Sequence, residues 1–335
     1  MIITMSAPNW PPNGPRPINL KRDVPQLIEL LEMAFGEKVG QAGRYSLHYG
    51  NQNGQLSYLW WLNPYYQRLA PGYVWQEGER IVGNVTLIST RLPGRHIVAN
   101  VAVHPDFRRR GIARTLMRAV MEQVRARHGD VVMLQVLRTN QPAIDLYKSL
   151  DFLTVGSMSL WQASLARLRE IPPWPDETPA PRIRPLARSE AREAFELDRL
   201  CLHPDLNWPE PAEPNLYNQG FWRTLWHFFN GRQQETWVIH DQNDRVVGLA
   251  TICSEWAQPY ELHLRVHPAW RGRLERPLLA KLVRRLRHMS RRTVRIHHQA
   301  DDVVVNTLLK EAGFSLQRTL THMRWNVTYT TRHPI

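Results

Sequence analysis

The feature that most limits what this chain can fold into is a repeat: four blocks recur in one order, 162 to 165 residues apart. RPINLKRDVPQLIELLEMAF, from Arg16, and PRIRPLARSEAREAFELDRLCL, from Pro181, each read as a short strand followed by an amphipathic helix. YVWQEGERIVGNVTL, from Tyr73, matches WVIHDQNDRVVGLAT, from Trp237, and both read as hairpins. VAVHPDFRRRGIARTLM, from Val101, parallels LRVHPAWRGRLERPLLA, from Leu264. The helix-to-strand run AIDLYKSLDF, from Ala143, parallels VNTLLKEAGF, from Val305. The pattern predicts a tandem duplication of one α/β domain. The expected boundaries are a flexible Pro- and Asn-rich tail over 1–15, a first domain over 16–165, a Pro-rich linker over 166–181 and a second domain over 182–330.

Composition excludes several classes. With 43% apolar residues the chain can build cores rather than remain disordered. Cys201 and Cys253 form no redox or metal-ligand pair, so no metal is expected and the thiols read as reduced and cytoplasmic. The start has neither a basic cluster nor a long apolar run, and no stretch nears the roughly 18 apolar residues of a membrane span. A formal charge of +13 favours an anionic partner without naming it.

The chemistry concentrates in the first copy. Ile97 to Val103 is valine-rich and reads as a central strand that His104-Pro105 ends. Arg108, Arg109, Arg110, Gly111, Ile112, Ala113 and Arg114 then lead into a helix with apolar residues at helical spacing. The first-turn N–H groups of a helix have no partners of their own and sit at the positive end of its dipole, so a basic turn there suits an anion. Gly111 has no Cβ and Ala113 only a small one, which leaves the backbone approachable. A solvated basic turn explains that motif about as well. A second motif decides between them. Leu134 to Leu137 reads as a strand, and Arg138-Thr-Asn140-Gln-Pro142-Ala143 opens a helix through Leu146-Tyr147 to Phe152.

Together, Val101-x-Val103-x-Pro105-x-x-Arg108-x-x-Gly111-x-Ala113 and Asn140-x-x-Ala143-x-x-Leu146-Tyr147-x-x-x-x-Phe152 resemble the GNAT superfamily of acyl-CoA-dependent N-acyltransferases. The resemblance implies an α/β (α+β) fold of two GNAT-like domains, each a mixed, mostly antiparallel sheet flanked by helices. It implies an N-acetyltransferase that uses acetyl-CoA as co-substrate and a primary amine, of a small molecule or a protein N-terminus, as acceptor. Val101, Ala102 and Val103 would pair with the pantetheine arm. The amides of Arg109 through Arg114 would hold the pyrophosphate, and Asn140 would contact the pantetheine side. Tyr147 would protonate the departing thiolate. In ribosomal-protein alanine acetyltransferases, which the LxVRxxNxxAIxLY run resembles, Glu stands where this chain has Gln135, so that base is missing. His96 or Asn100 is a substitute candidate, as is a water chain. Asp151 replaces the usual Gly before Phe152 and should cost stability at a helix C-cap.

The second copy carries Leu274, Arg276, Asp302 and Leu309 where the first has Gly111, Ala113, Asn140 and Tyr147. The expectation is a degenerate, non-catalytic domain whose turn is closed by Leu274 and Arg276. Residues 271–295 hold ten Lys/Arg against one Glu, on the polar side of an amphipathic helix. A solvated helix face accounts for them; the sharper alternative is a surface for RNA or an acidic partner. A non-catalytic acyl-CoA sensor or an RNA- or acidic-protein-binding adaptor is therefore the competing function. Aromatic residues around Trp60-Trp61 and between Trp208 and Phe229 are expected mostly to pack, with one or two of the first set lining an amine pocket.

Overall fold

The computed structural model describes residues 13–35, 72–172, 181–209, 211–218, 233–255, 258–290 and 293–328. In the first repeat the elements are β1 (Asn13–Pro17), α1 (Leu20–Phe35), β2 (Gly72–Glu77), β3 (Arg80–Ser89), β4 (Arg95–Val103), α2 (Ile112–Ala126), β5 (Val131–Leu137), α3 (Gln141–Lys148) and β6 (Leu153–Ser164). In the second they are β7 (Arg184–Pro185), α4 (Ala191–Cys201), β8 (Gln233–His240), β9 (Val246–Ser254), β10 (Tyr260–Val266), α5 (Glu275–Leu286), β11 (Thr293–Gln299), α6 (Val303–Glu311) and β12 (Ser315–Asn326). The order of elements therefore repeats as the sequence predicts.

Two compact units result, each a mixed and mostly antiparallel sheet flanked by helices. In the first, β1, β2, β3 and β4 are successively antiparallel and β5 joins β4 in parallel. The parallel step needs a crossover, and α2 supplies it. Ile112, Leu116, Met117, Val120, Met121 and Val124 bury one face of that helix, the stripe read from the sequence. In the second unit β7, β8, β9 and β10 are antiparallel neighbours, and β11 joins β10 in parallel after α5.

The expected domain limits need three corrections. Asn13, Gly14 and Pro15 are not tail but half of β1, paired opposite Glu77, Gln76 and Trp75. The start of the expected linker is packed: Leu168 and Ile171 are buried in the second unit's core, and Arg169 N–H donates to Ala312 O at 3.0 Å. The third correction concerns the last strand of each repeat. Val155–Ser164 of β6 belongs to the second unit, where β6 pairs antiparallel with β11 from Met158↔Gln299 to Ser164↔Thr293. Met323 to Asn326 of β12 belongs to the first, where Trp325 lies 6.3 Å from Phe152 and under the Arg125 guanidinium at 4.9 Å. Each repeat thus contributes to the other's unit, although Ser315–His322 of β12 stay in the second. The physical reason is that a strand's alternation dictates which face is buried but not which sheet receives it.

Candidate active site

In the first unit β4 and β5 stay paired only from Arg95↔Val131 to Val98↔Leu134. Beyond Val98, β4 runs on to Val103 and β5 to Leu137, so the strands part and that edge of β4 leaves the ladder. A bulge sits at the same place. Thr86 faces Ala99 and Asn84 faces Ala102, so Val85 alone is opposed by Asn100 and Val101. Asn100 has φ +53°, a left-handed conformation that Asn tolerates better than most residues.

A buried side chain holds the bulge. Asn84, 1% exposed, donates from Nδ2 to Asn100 O at 2.7 Å and to Thr86 Oγ1 at 3.2 Å, while its Oδ1 is enclosed without a partner. An unsatisfied buried acceptor costs roughly 1–3 kcal/mol. The strained residue and the orphaned polar atom fall at one point of the sheet, beside the parted strands. The side chains of the predicted strand residues divide accordingly: Ala102 is in the core, and Val101 and Val103 are half-buried.

The turn behind β4 is open and has two residues in the left-handed region. Arg109 and Gly111 have φ +65° and +76°, and Gly111 is the N-cap of α2. A Cβ built at Gly111 meets nothing within 4 Å, so the space above the main chain is open. Arg108 N–H donates to Pro105 O and Thr115 N–H to Gly111 O, whereas the N–H groups of Arg109 to Arg114 reach no acceptor among the described residues. Arg108, Arg109 and Arg110 are exposed around this row, with Arg110 4.8 Å from the Phe107 ring and Arg108 Nε on Val103 O at 3.2 Å. Ile112 turns its side chain into the core and leaves its amide facing outward; Ala113 and Arg114 are half-buried.

Tyr147 lies on α3 of the same unit, 5% exposed, 6.0 Å from Phe152. Its hydroxyl bonds no described residue and is not among the enclosed atoms. Burial pushes the phenol above its ordinary pKa, so it holds its proton through the neutral range. Asn140 sorts otherwise: Val136–Asn140 belongs to the second unit, where Arg138 N–H donates to Thr319 O at 3.0 Å. The β4 residues, the turn and Tyr147 lie in the first unit, and Asn140 immediately precedes α3 of that unit.

The candidate bases fare poorly. His96 sits in the closed part of β4, opposite Val132, with Ser89 Oγ at 3.1 Å from Nδ1. Four residues separate it from the bulge, about 13 Å along a strand. Asn100 is the bulge itself, and an amide accepts no proton. His104 has a structural role: Nδ1 caps Asp106 N–H at 3.3 Å and Nε2 meets Arg80 at 2.9 Å. His267 caps Ala269 N–H in the same way, and so does His203 with Asp205.

The corresponding turn of the second unit is filled, though not as expected. Leu274 folds into the core and Arg276 reaches Glu311 at 3.4 Å, so neither closes the turn. Glu275 does: it is 3% exposed and its Oε1 accepts Gly272 N–H at 2.9 Å. The bulge has also gone, since β9 and β10 pair without a register break from Cys253↔Glu261 to Gly248↔Val266. Asp302 caps α6 through Val305 N–H and receives His298 at 2.8 Å. Burial pulls its pKa up, but the His298 hydrogen bond and charge outweigh that and leave it lowered.

Part of the basic run is ion-paired within its own unit. Arg285 makes two 2.7 Å bonds to Glu235, Arg287 approaches Glu170 at 3.5 Å and Arg295 pairs with Glu261. That arrangement is the solvated, ion-paired helix face. Trp60, Trp61 and most of the second aromatic set lie outside the described residues; Tyr217 packs in a core and Trp208 stands edge-on to His322 at 5.7 Å. No described helix is long and apolar enough to cross a membrane, and no metal-binding cluster of His, Cys, Asp and Glu occurs among the described residues.

Comparison with family models matches the acetyltransferase (GNAT) family over residues 27–152 and 199–314, more than half of the chain. Both stretches stop just before the exchanged strands β6 and β12. The chain is 34% identical over 106 residues to peptidyl-lysine N-acetyltransferase YiaC of Escherichia coli, covering 32% of this chain and 64% of that protein. It is 42% identical over 53 residues to the ribosomal protein bS18-alanine N-acetyltransferase of Salmonella typhimurium, covering 16% and 36%. It is 33% identical over 85 residues to an N-alpha-acetyltransferase of Saccharolobus solfataricus, covering 25% and 50%. The match therefore spans less than two thirds of each relative's own length. Among solved structures, a GCN5-related N-acetyltransferase from Sphaerobacter thermophilus has a TM-score of 0.59 at 15% identity, covering 96% of this chain and 97% of that one. At that identity the likeness is one of fold.

Proposed function

The chain belongs to the acetyltransferase (GNAT) family, and on that premise we propose that its first copy transfers an acetyl group from acetyl-CoA to a primary amine by direct attack in a ternary complex. The observation that carries this reading is the contrast between two equivalent turns. Among the described residues the N–H groups of Arg109 to Arg114 have no acceptor, under an open Gly111, whereas Glu275 occupies the turn of the second copy. Six free amides at a helix N-terminus fit a diphosphate. The second copy is then a non-catalytic domain.

Acetyl-CoA would supply the acyl group and needs no covalent help from the protein. The free edge of Val101 to Val103 would align the pantetheine arm as a further strand. The bulge would turn a main-chain N–H towards the thioester carbonyl, where a fixed donor stabilises developing negative charge. Tyr147 would give its proton to the departing thiolate. Gln135 stands one residue past the last β4–β5 pair and takes no proton, so the amine enters neutral or loses its proton to water. Two of the relatives are named for a peptidyl lysine and for the alanine of ribosomal protein bS18, which supports peptide α-amines and lysine side chains as the first acceptors to try.

The test is release of free thiol from acetyl-CoA over a panel of peptide α-amines, lysine peptides and small amines. Turnover with at least one acceptor is expected, with Tyr147→Phe lowering kcat by about 10²–10⁴ while coenzyme binding is retained, the span usual for a general acid. Tight binding of coenzyme A with no turnover across the panel would replace the enzyme by an acyl-CoA sensor.

A further inference from the structure

Three polar side chains meet in the first unit where β4 leaves β5. Asn84 and Thr86 alternate on β3 opposite Ala102 and Ala99, and Asn100 belongs to the bulge between those two partners. Asn84 Nδ2 donates to Thr86 Oγ1 at 3.2 Å, and Asn100 Nδ2 donates to the same oxygen at 3.4 Å. The main chain of Asn100 is tied as well, its carbonyl accepting Asn84 Nδ2 at 2.7 Å. Two amides are thus pinned by their nitrogen ends to the one hydroxyl of Thr86, itself 5% exposed.

The oxygen ends differ. Asn84 Oδ1 is enclosed, whereas Asn100 is half-buried and its Oδ1, not an enclosed atom, takes no donor among the described residues. With Nδ2 held on Thr86 the amide cannot exchange its ends, so Asn100 presents an acceptor oxygen. It does so two residues past the last β4–β5 pair, Val98↔Leu134. The second repeat supplies a control. It keeps the threonine, as Thr251, but has Leu249 for Asn84 and no counterpart of Asn100. Thr251 Oγ1 turns instead to Thr236 Oγ1 at 3.0 Å. Both amides are missing from the copy whose turn Glu275 fills, so the shared sheet does not require them.

We infer that Asn100 Oδ1 seats the acceptor amine by accepting one of its N–H groups; this rests on the proposed acetyl transfer and adds the form in which the amine is held. An attacking amine keeps its lone pair for the thioester carbonyl, so the protein can orient it only through its N–H groups, which need acceptors. The kind of acceptor matters. A carboxylate would favour the ammonium form, which has no lone pair to attack with; a neutral amide oxygen holds the N–H without that bias. Asn100 also belongs to the bulge whose main-chain N–H would face the thioester carbonyl, which brings the seat next to the electrophile.

The test is steady-state kinetics of the full chain, using the acceptor of the amine panel with the highest kcat/KM, beside calorimetry of coenzyme A. Asn100→Gly suits the left-handed φ of +53° and keeps the carbonyl that Asn84 holds, so it removes the amide alone. It should lower kcat/KM for the amine at least tenfold and leave coenzyme A affinity unchanged. Asn100→Asp should move the rise of kcat to higher pH, because a bound amine beside a carboxylate keeps its proton longer. An unchanged kcat/KM in Asn100→Gly overturns the inference, and so does a kcat profile that Asn100→Asp leaves in place. A matching loss of coenzyme A affinity in Asn100→Gly also overturns it, since Asn100 would then only support the bulge. Wild-type protein that turns over no acceptor overturns the proposed function and this inference together; wild-type turnover indifferent to Asn100→Gly overturns the inference alone. Should Asn100→Gly fail to fold, Thr86→Val, which frees the amide, should lower kcat/KM for the amine, and no change there is equally decisive.

Discussion

Asn84 and Leu249 occupy equivalent positions in the two repeats, and the contrast between them isolates what chemistry asks of a single residue. Leu249 is a fully buried core side chain opposite an unbroken strand, whereas Asn84 carries an orphaned oxygen to hold a bulge. Asn84→Leu should therefore leave stability within about 1 kcal/mol, since a relieved Oδ1 offsets a lost hydrogen bond. It should lower kcat at least tenfold with little change in KM for acetyl-CoA; steady-state kinetics beside a urea titration would separate the two. Asp151 gives a prediction of opposite sign. It holds φ +64° after α3, where the second repeat has Gly313 at φ +90°. A non-glycine residue there costs roughly 1–2 kcal/mol, so Asp151→Gly should raise the midpoint of thermal unfolding with turnover unchanged. That cost was readable in the sequence because the family pattern sets Gly against Asp at one place. Asn84 was not readable, because its role exists only once β3 lies beside the bulge.

At the scale of elements, Ala99–Val103 of β4 holds one residue more than His263–Val266 of β10, and the difference leaves a trace in the sequence. Ala99 lies 164 positions before its structural equivalent His263, whereas Val103 lies 163 before Val266. The step marks Asn100 as the residue without a counterpart. A drop in repeat spacing inside a strand is thus a usable signal for a bulge, and it went unread. The strand β10 carries its own consequence for acid stability. Glu261 meets Arg295 and His297 Nδ1, the latter at 2.8 Å. Burial alone would raise its pKa; the charge and hydrogen bond of His297, then the charge of Arg295, outweigh burial and bring it down to about 2. A depressed carboxyl contributes stability that is complete above its unfolded pKa near 4.5 and is lost as pH falls toward 2. Urea midpoints taken from pH 6 to pH 2.5 should fall along that window, and Glu261→Gln should flatten the fall. A variant with the full wild-type slope would remove Glu261 as its cause.

At the scale of the whole molecule, duplication was legible because four blocks kept their order and their apolar spacing. The ownership of the final strands was not. β6 and β12 alternate as any half-buried strand does, and alternation is silent about the partner. The exchange makes a remote residue matter to the first unit. Trp325, from the end of the second repeat, covers Phe152 beside Tyr147 and takes Arg125 on its face. Trp325→Ala should cost about 3–5 kcal/mol, the range for emptying a buried aromatic site. It should lower thermal stability and activity together, although the substitution lies outside the copy in which the chemistry is proposed. Full retention of both would show that β12 is dispensable to the first unit.

Exchanged end-strands also bear on how such a gene can change. Once each half contributes to its neighbour, neither can be discarded by a simple truncation, because the survivor would be left with an open sheet edge. On the proposed function, the half without chemistry would still be kept for its interior. Redundancy of chemistry, in this architecture, does not mean redundancy of scaffold.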